Sequence, residues 1–147
     1  MKKVFVLLLF LLPGFIYGQE TRRMHFDGIS FSIPKDQFEN NLEIRGWTRT
    51  EDDDCYQGSY LGHPRELTLD WYGSNLVSLS LVYISGCEFS ISSDFFMILD
   101  YFRDYPMWRV TPNLWIIYDG PNEITVERTI NETKVRFIDK INENRKL

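Results

Sequence analysis

The stretch Leu67–Ser85, LTLDWYGSNLVSLSLVYIS, decides the fold. Leu67, Leu69 and Trp71 alternate with Thr68, Asp70 and Tyr72. Beyond Gly73-Ser74-Asn75, the residues Val77, Leu79, Leu81 and Tyr83 alternate with Ser78 and Ser80. Side chains two apart share one face of a strand, so each run presents an apolar face and a largely polar one. The stretch therefore predicts two antiparallel strands of a half-buried sheet, joined by a tight turn.

Upstream, His25–Ile33 (HFDGISFSI) reads as a first strand, in which Asp27, Ile29, Phe31 and Ile33 alternate with Phe26, Ser30 and Ser32. Pro34 suits the first turn of a helix, where its missing N–H is not needed. Phe38 and Leu42 lie one helical turn apart, and Gly46 supplies a left-handed cap against which Trp47 folds back. Cys55–Leu61 then precedes a turn at Gly62–Arg65 and the opening hairpin. Ser92 or Ser93 is expected to cap a second helix, Asp94–Tyr105, with Phe95, Ile98, Leu99, Phe102 and Tyr105 on one face and Pro106 as its stop. Leu114–Asp119, Glu123–Thr129 and Lys134–Ile141 read as three further strands, and Asn142–Leu147 as a loose tail. The expected fold is α+β: strand, helix, three strands, helix, three strands. It amounts to two helix-plus-three-stranded antiparallel meander units, about residues 26–87 and 92–141, sharing one core. Trp47 and Trp108 fall at matching places, each just past its helix.

This pattern resembles small exported proteins of Gram-negative bacteria, on the residues Phe38, Leu42, Gly46-Trp47, Tyr105-Pro106 and Trp115. The plan is also similar to the tandem helix-on-sheet repeats of β-lactamase-inhibitor-protein-like folds. That resemblance implies a sheet surface used to bind proteins, and it implies no catalytic residue.

The first eighteen residues stand apart. Lys2 and Lys3 precede the apolar run Val4–Leu12, followed by Pro13-Gly14 and Ile16-Tyr17-Gly18-Gln19. A basic start, a short apolar core and a small residue before a polar one make a secretory signal peptide with cleavage after Gly18. The run falls short of the roughly 20 residues a spanning helix needs. Residues 19–147 are then a single α+β domain, periplasmic or secreted, with no stable membrane insertion after cleavage. Of 16 basic residues, Lys2 and Lys3 are lost with the leader, leaving 14 against 21 acidic ones, a net charge of −7. Such a surface repels phosphate backbones and argues against nucleic acid as a partner.

Export makes a Cys55–Cys87 disulfide the default expectation. Meander geometry opposes it. With turns at 62–65 and 73–75, Cys55 falls opposite Tyr72 and near Leu76, and Cys87 lies about 30 Å further on. A bridge needs Cα atoms within about 7 Å.

No cofactor is implied and no metal spacing is present. Glu51–Asp54 lacks the spacing and bend glycine of a calcium loop and reads as a solvated turn. His25 and His63 read as surface histidines, and Asn131-Glu132-Thr133 as a turn. The aromatics carry the functional expectation. Tyr56 and Tyr60 share a face of their strand, Tyr72 and Asp70 lie opposite Trp71, and the four predict a patch on the outer sheet face. The expected function is an exported, non-enzymatic binding or protein-interaction module whose partner is an exported or envelope protein, or a glycan. One alternative is a small carbohydrate-active or hydrolase accessory protein using Asp70 beside Trp71 and Tyr72. The other is a structural envelope component.

Overall fold

The computed structural model describes residues 22–146; the segment read as a signal peptide lies outside the described residues. The chain runs β1 (His25–Phe26), β2 (Ile29–Ser30), α1 (Lys35–Ile44), β3 (Thr48–Arg49), β4 (Cys55–Tyr60), β5 (His63–Tyr72) and β6 (Asn75–Ile84). It continues through α2 (Glu88–Tyr101), β7 (Met107–Thr111), β8 (Leu114–Asp119), β9 (Asn122–Arg128) and β10 (Glu132–Ile138), then α3 (Lys140–Glu143) and a 3-10 turn at Asn144–Lys146. It is an α+β fold dominated by one antiparallel sheet of eight strands, ordered β3-β4-β5-β6-β10-β9-β8-β7. Among the described residues no helix is long and apolar enough to cross a membrane.

The opening stretch supplies β5 and β6, which pair Leu67 with Leu81 and Leu69 with Leu79. Those four side chains are buried, as are Val135, Phe137, Val126, Ile124 and Ile117 on the neighbouring strands. Full burial of one such side chain is worth roughly 1.5–3 kcal/mol. Together they form the inner face, against which α2 packs over β9, β10 and β6. Thr68, Ser80, Arg136 and Thr125 make a transverse row on the outer face, where none is buried.

Several expected elements differ. The strand read over His25–Ile33 is broken into the hairpin β1–β2, because Asp27 (φ 48°) and Gly28 (φ 75°) both adopt left-handed backbone. An Asp-Gly pair is the preferred residue choice for such a two-residue turn. The β4–β5 turn is likewise the pair Leu61 (φ 51°) and Gly62 (φ 81°), not residues 62–65. Cys55 consequently pairs with Thr68 rather than opposing Tyr72. The second helix begins at Glu88 rather than Asp94 and ends at Tyr101 rather than Tyr105. Its buried stripe, Ile91, Asp94, Phe95 and Ile98, has the i, i+3, i+4, i+7 spacing of an amphipathic helix. Each helix is followed by four strands rather than three, since β3 and β7 are short edge strands. The tail is tied down instead of loose. Asp139 caps α3 by accepting from the Asn142 amide, Asn142 is buried, and Lys146 reaches Asp70 at 2.8 Å.

The end of α1 is capped as its sequence suggests. The Gly46 amide donates to the Glu43 carbonyl and the Trp47 amide to that of Leu42, the two bonds of a Schellman motif. Trp47 is thereby laid over Gly58, where a Cβ would sit 2.5 Å from the indole ring. Trp108, expected to match it, is instead exposed on the edge strand β7.

Tyr56 is fully buried on this inner face and its hydroxyl has no hydrogen-bond partner. Burial, reinforced by the Glu39 carboxylate, pushes the phenol up to about 12. An unfolded tyrosine ionises near pH 10. Its contribution to stability is therefore complete below about pH 10 and is lost as pH rises through about 12. Tyr56→Phe is expected to leave stability at neutral pH unchanged or slightly higher, because an orphaned buried hydroxyl is removed. It should also flatten the decline above pH 10. Urea midpoints at neutral and alkaline pH check both effects; a loss above about 1 kcal/mol at neutral pH would contradict them.

Candidate functional site

The residues expected to form an outer-face patch are divided. Tyr56 and Tyr60 point to the inner face, because Tyr56 is registered with inward Leu67. Asp70 and Tyr72 lie at the far end of β5, where Tyr72 is 48% exposed. The Asp70 carboxylate is engaged by Lys146 at 2.8 Å, by the Ser78 hydroxyl at 3.4 Å, and by Arg136 at 3.9 Å. Cys55 and Cys87 are free thiols. Among the described residues no cluster of metal-ligating side chains occurs. In the acidic run, Asp54 is bound by Lys35 at 2.7 Å while its three predecessors are exposed.

What the fold does assemble is a cleft of about 450 Å³ on the helical side of the sheet. Ile124 and Phe137 of β9 and β10 form its floor, and Tyr60, Tyr101 and Tyr105 its walls. The opposite rim comes from the N-terminal segment, which is sewn to the C-terminal one. The fully buried Asp139 accepts from the Met24 amide at 3.1 Å and from Arg23 Nε at 2.9 Å. Asn122 Nδ2 donates to the Arg22 carbonyl at 2.9 Å, while Asn122 Oδ1 accepts from the Lys140 amide. Arg22 is thus placed to pair with Asp119 at 2.8 Å across the cleft mouth. Asp27, in the β1–β2 turn, pairs with Arg45 at 3.3 Å. His25 donates from Nδ1 to the Arg23 carbonyl.

Tyr60 is fixed by rings on several sides. Phe26, Tyr101 and Phe137 lie 5.4, 6.3 and 6.4 Å from it, the last two edge-on. Burial, with the Tyr101 hydroxyl nearby, raises its phenol well above the ordinary range, so the group stays a neutral donor. Tyr101 and Tyr105, by contrast, are 57% and 39% exposed and offer open aromatic surface. Fixed and open aromatics over an apolar floor, with a few polar groups at the rim, are the general makeup of a small-ligand site.

Behind Tyr60 lies a second constellation. Asp94 is fully buried on α2 and is gripped in bidentate fashion by the equally buried Arg65, at 2.6 and 3.0 Å. His63, expected on the surface, is only partly exposed and places Nδ1 2.6 Å from the same carboxylate, with its ring 4.9 Å from that of Tyr83. Arg65 Nε also donates to the Tyr60 carbonyl at 3.3 Å. The His63–Asp94 contact has the form of a catalytic dyad, but the guanidinium already takes much of the carboxylate's charge. The group that in an acid–base dyad would stabilise an imidazolium is here compensated by Arg65. The arrangement functions as a buried clamp that ties β5 to α2 and holds the backbone of Tyr60.

Sequence reading missed this clamp although its signal was present: Arg65 shares inward parity with Leu67 and Leu69, and Asp94 falls inside the apolar stripe Ile91–Ile98. No such signal marks the pairing of Arg22 with Asp119, which depends on contacts across the whole chain.

Cys87 is exposed at the N-terminus of α2. The Ser90 amide and hydroxyl, followed by the Phe89 amide, hold its thiol below the ordinary range. A lowered value means more thiolate at neutral pH, so iodoacetamide should modify Cys87 several-fold faster than the half-buried Cys55. Peptide mass spectrometry over a time course checks this; equal rates, or faster Cys55, would contradict it.

No protein-family model, curated protein or solved structure matches this chain.

Proposed function

We propose that the protein is an exported, non-enzymatic binding module whose ligand enters the aromatic cleft beside the end of α2. The observation that carries the reading is the contrast within that cleft. Tyr60 is immobilised by Phe26 and Phe137, whereas Tyr101 and Tyr105 stand open beside it. A preorganised floor with exposed aromatic walls lowers the ordering cost of binding. Support for export comes from Lys2, Lys3 and the apolar run that follows them. Support for binding rather than catalysis comes from the compensated carboxylates: Asp94 is held by Arg65, and Asp70 by Lys146 and Arg136. We also read α1 with β3–β6 and α2 with β7–β10 as two copies of one helix-plus-meander unit. The sheet order, in which each set of strands forms one flank, supports that reading.

The test compares immobilised wild-type protein with the Tyr101→Ala/Tyr105→Ala variant, each exposed to the exported fraction of the source cells. Retained proteins and glycans are then identified by mass spectrometry. A species held by the wild type and lost from the variant is the expected result; identical retention on both would overturn the assignment. Retention of envelope assemblies by both proteins alike would favour a structural role instead.

A further inference from the structure

The cleft has a chemical bias beyond its shape. Its lining carboxylates are matched locally, Asp119 by Arg22 at 2.8 Å and Asp27 by Arg45, just outside the lining, at 3.3 Å. Arg22, Asp27 and Asp119 line the cleft, and with Arg45 standing against Asp27 from outside the lining the four charges sum to zero. A phosphate, a carboxylate-bearing ligand or a basic peptide would meet no uncompensated opposite charge there. The remaining polar groups are phenols and one imidazole, which offer hydrogen bonds without selecting for charge.

We infer that the cleft takes a short neutral saccharide, an inference that rests on the cleft being the binding site. Three features converge on this class. The open faces of Tyr101 and Tyr105 suit the C–H faces of pyranose rings, and Phe137 and Ile124 continue the apolar surface below. A volume of about 450 Å³ lies within the range of small-ligand sites. The third feature is the rim. Asp27 is more than half exposed, and its carboxylate oxygens are acceptors set beside a guanidinium donor. Neighbouring sugar hydroxyls both donate and accept, so they satisfy such a mixed pair together. An extended proline-rich peptide, the other common occupant of an aromatic groove, presents carbonyl oxygens and few donors, which matches carboxylates poorly.

The test is titration of the purified protein with cellotriose, maltotriose and chitotriose, followed by calorimetry and by saturation-transfer NMR. At least one of the three should bind saturably. Tyr101→Ala should weaken that binding about five- to tenfold, since one stacking surface is lost. Tyr101→Phe, which keeps the ring, should retain most of it, and Tyr72→Ala, on another surface, should change nothing. Binding of a neutral ligand should also vary little between about 0.05 and 0.5 M salt. Saturation by none of the three, or affinity unaffected by Tyr101→Ala, would overturn the inference. Decaproline serves as the contrasting probe. If it binds in a Tyr101-dependent way while no saccharide does, the saccharide is excluded and the cleft remains the binding site. If no probe binds and the retention profiles of wild type and cleft variant coincide, both readings fall.

Discussion

Asp94→Ala is expected to lower folding stability by about 3–5 kcal/mol, the usual cost of leaving one member of a buried ion pair uncompensated. Both side chains of the pair are fully buried. Without the carboxylate, the Arg65 guanidinium would keep only the Tyr60 carbonyl and the rings of Tyr60 and Tyr83, whose centroids lie 5.9 and 5.7 Å away. Those contacts are far weaker than a bidentate carboxylate in a water-free setting. In urea the transition should move to lower concentration with its slope unchanged, because the surface exposed on unfolding is nearly the same. His63→Ala removes a partly exposed group from the same carboxylate and should cost about 1 kcal/mol. The decisive comparison is the double variant Arg65→Met/Asp94→Leu, which replaces the pair with apolar side chains of similar size and should lose much less than Asp94→Ala. A single variant losing under about 1 kcal/mol, or a double variant losing as much as the single, would show that the clamp carries no such strain when broken.

The parts of this fold that were legible were those with a local cause. The alternation of Leu67, Leu69, Leu79 and Leu81 is a property of neighbouring residues, and it placed the central strands and their buried face. The cap at Gly46-Trp47 was equally local, since left-handed backbone and a returning amide need only six residues of sequence. Failures arose where a local signal competed with a distant one. Asp94 resembles a residue near a helix start when only adjacent positions are weighed. Its burial follows from Arg65, 29 residues earlier, on a strand placed by another turn. The two-residue turns at Asp27-Gly28 and Leu61-Gly62 were displaced or overlooked, and each shift of register moves side chains relative to their cross-strand partners. That displacement is why Cys55 faces Thr68 rather than Tyr72. The inward direction of Tyr56 and Tyr60 was open to the same reasoning, given their parity with Leu67 once the strand pair is registered. The cleft was the least legible feature. Its rim joins Arg22 to Asp119 and Asp27 to Arg45, and its wall lies at the end of α2, so no sequence window contains it.

Phe26→Ala should have an effect of comparable size, about 3–5 kcal/mol, for a different physical reason. Phe26 belongs to a strand of two residues, yet its ring is almost completely buried among side chains from β4, β10 and the loop after α1. Trp47 lies 6.0 Å away, Tyr60 5.4 Å and Phe137 5.3 Å, the last edge-on. Trp47 is held by its cap and by Gly58, and Phe137 sits on a central strand, so neither can move far to fill the vacancy. The cost therefore includes an unfilled cavity as well as lost burial. Phe26→Leu retains much of the volume and should lose only about 1–2 kcal/mol, so the ratio of the two losses reports how rigid the surroundings are. A second readout links this position to the cleft. With Phe26 removed, water gains access to one side of Tyr60, whose phenol is raised chiefly by burial. Its ionisation should shift down toward the ordinary tyrosine range, seen as tyrosinate absorbance developing at lower pH. A variant that loses stability while Tyr60 titrates as before would mean that the ring supports the fold but not the cleft wall. A loss below about 1 kcal/mol would mean that the hairpin closes over the gap, and that the remaining ties of the N-terminal segment suffice to hold it.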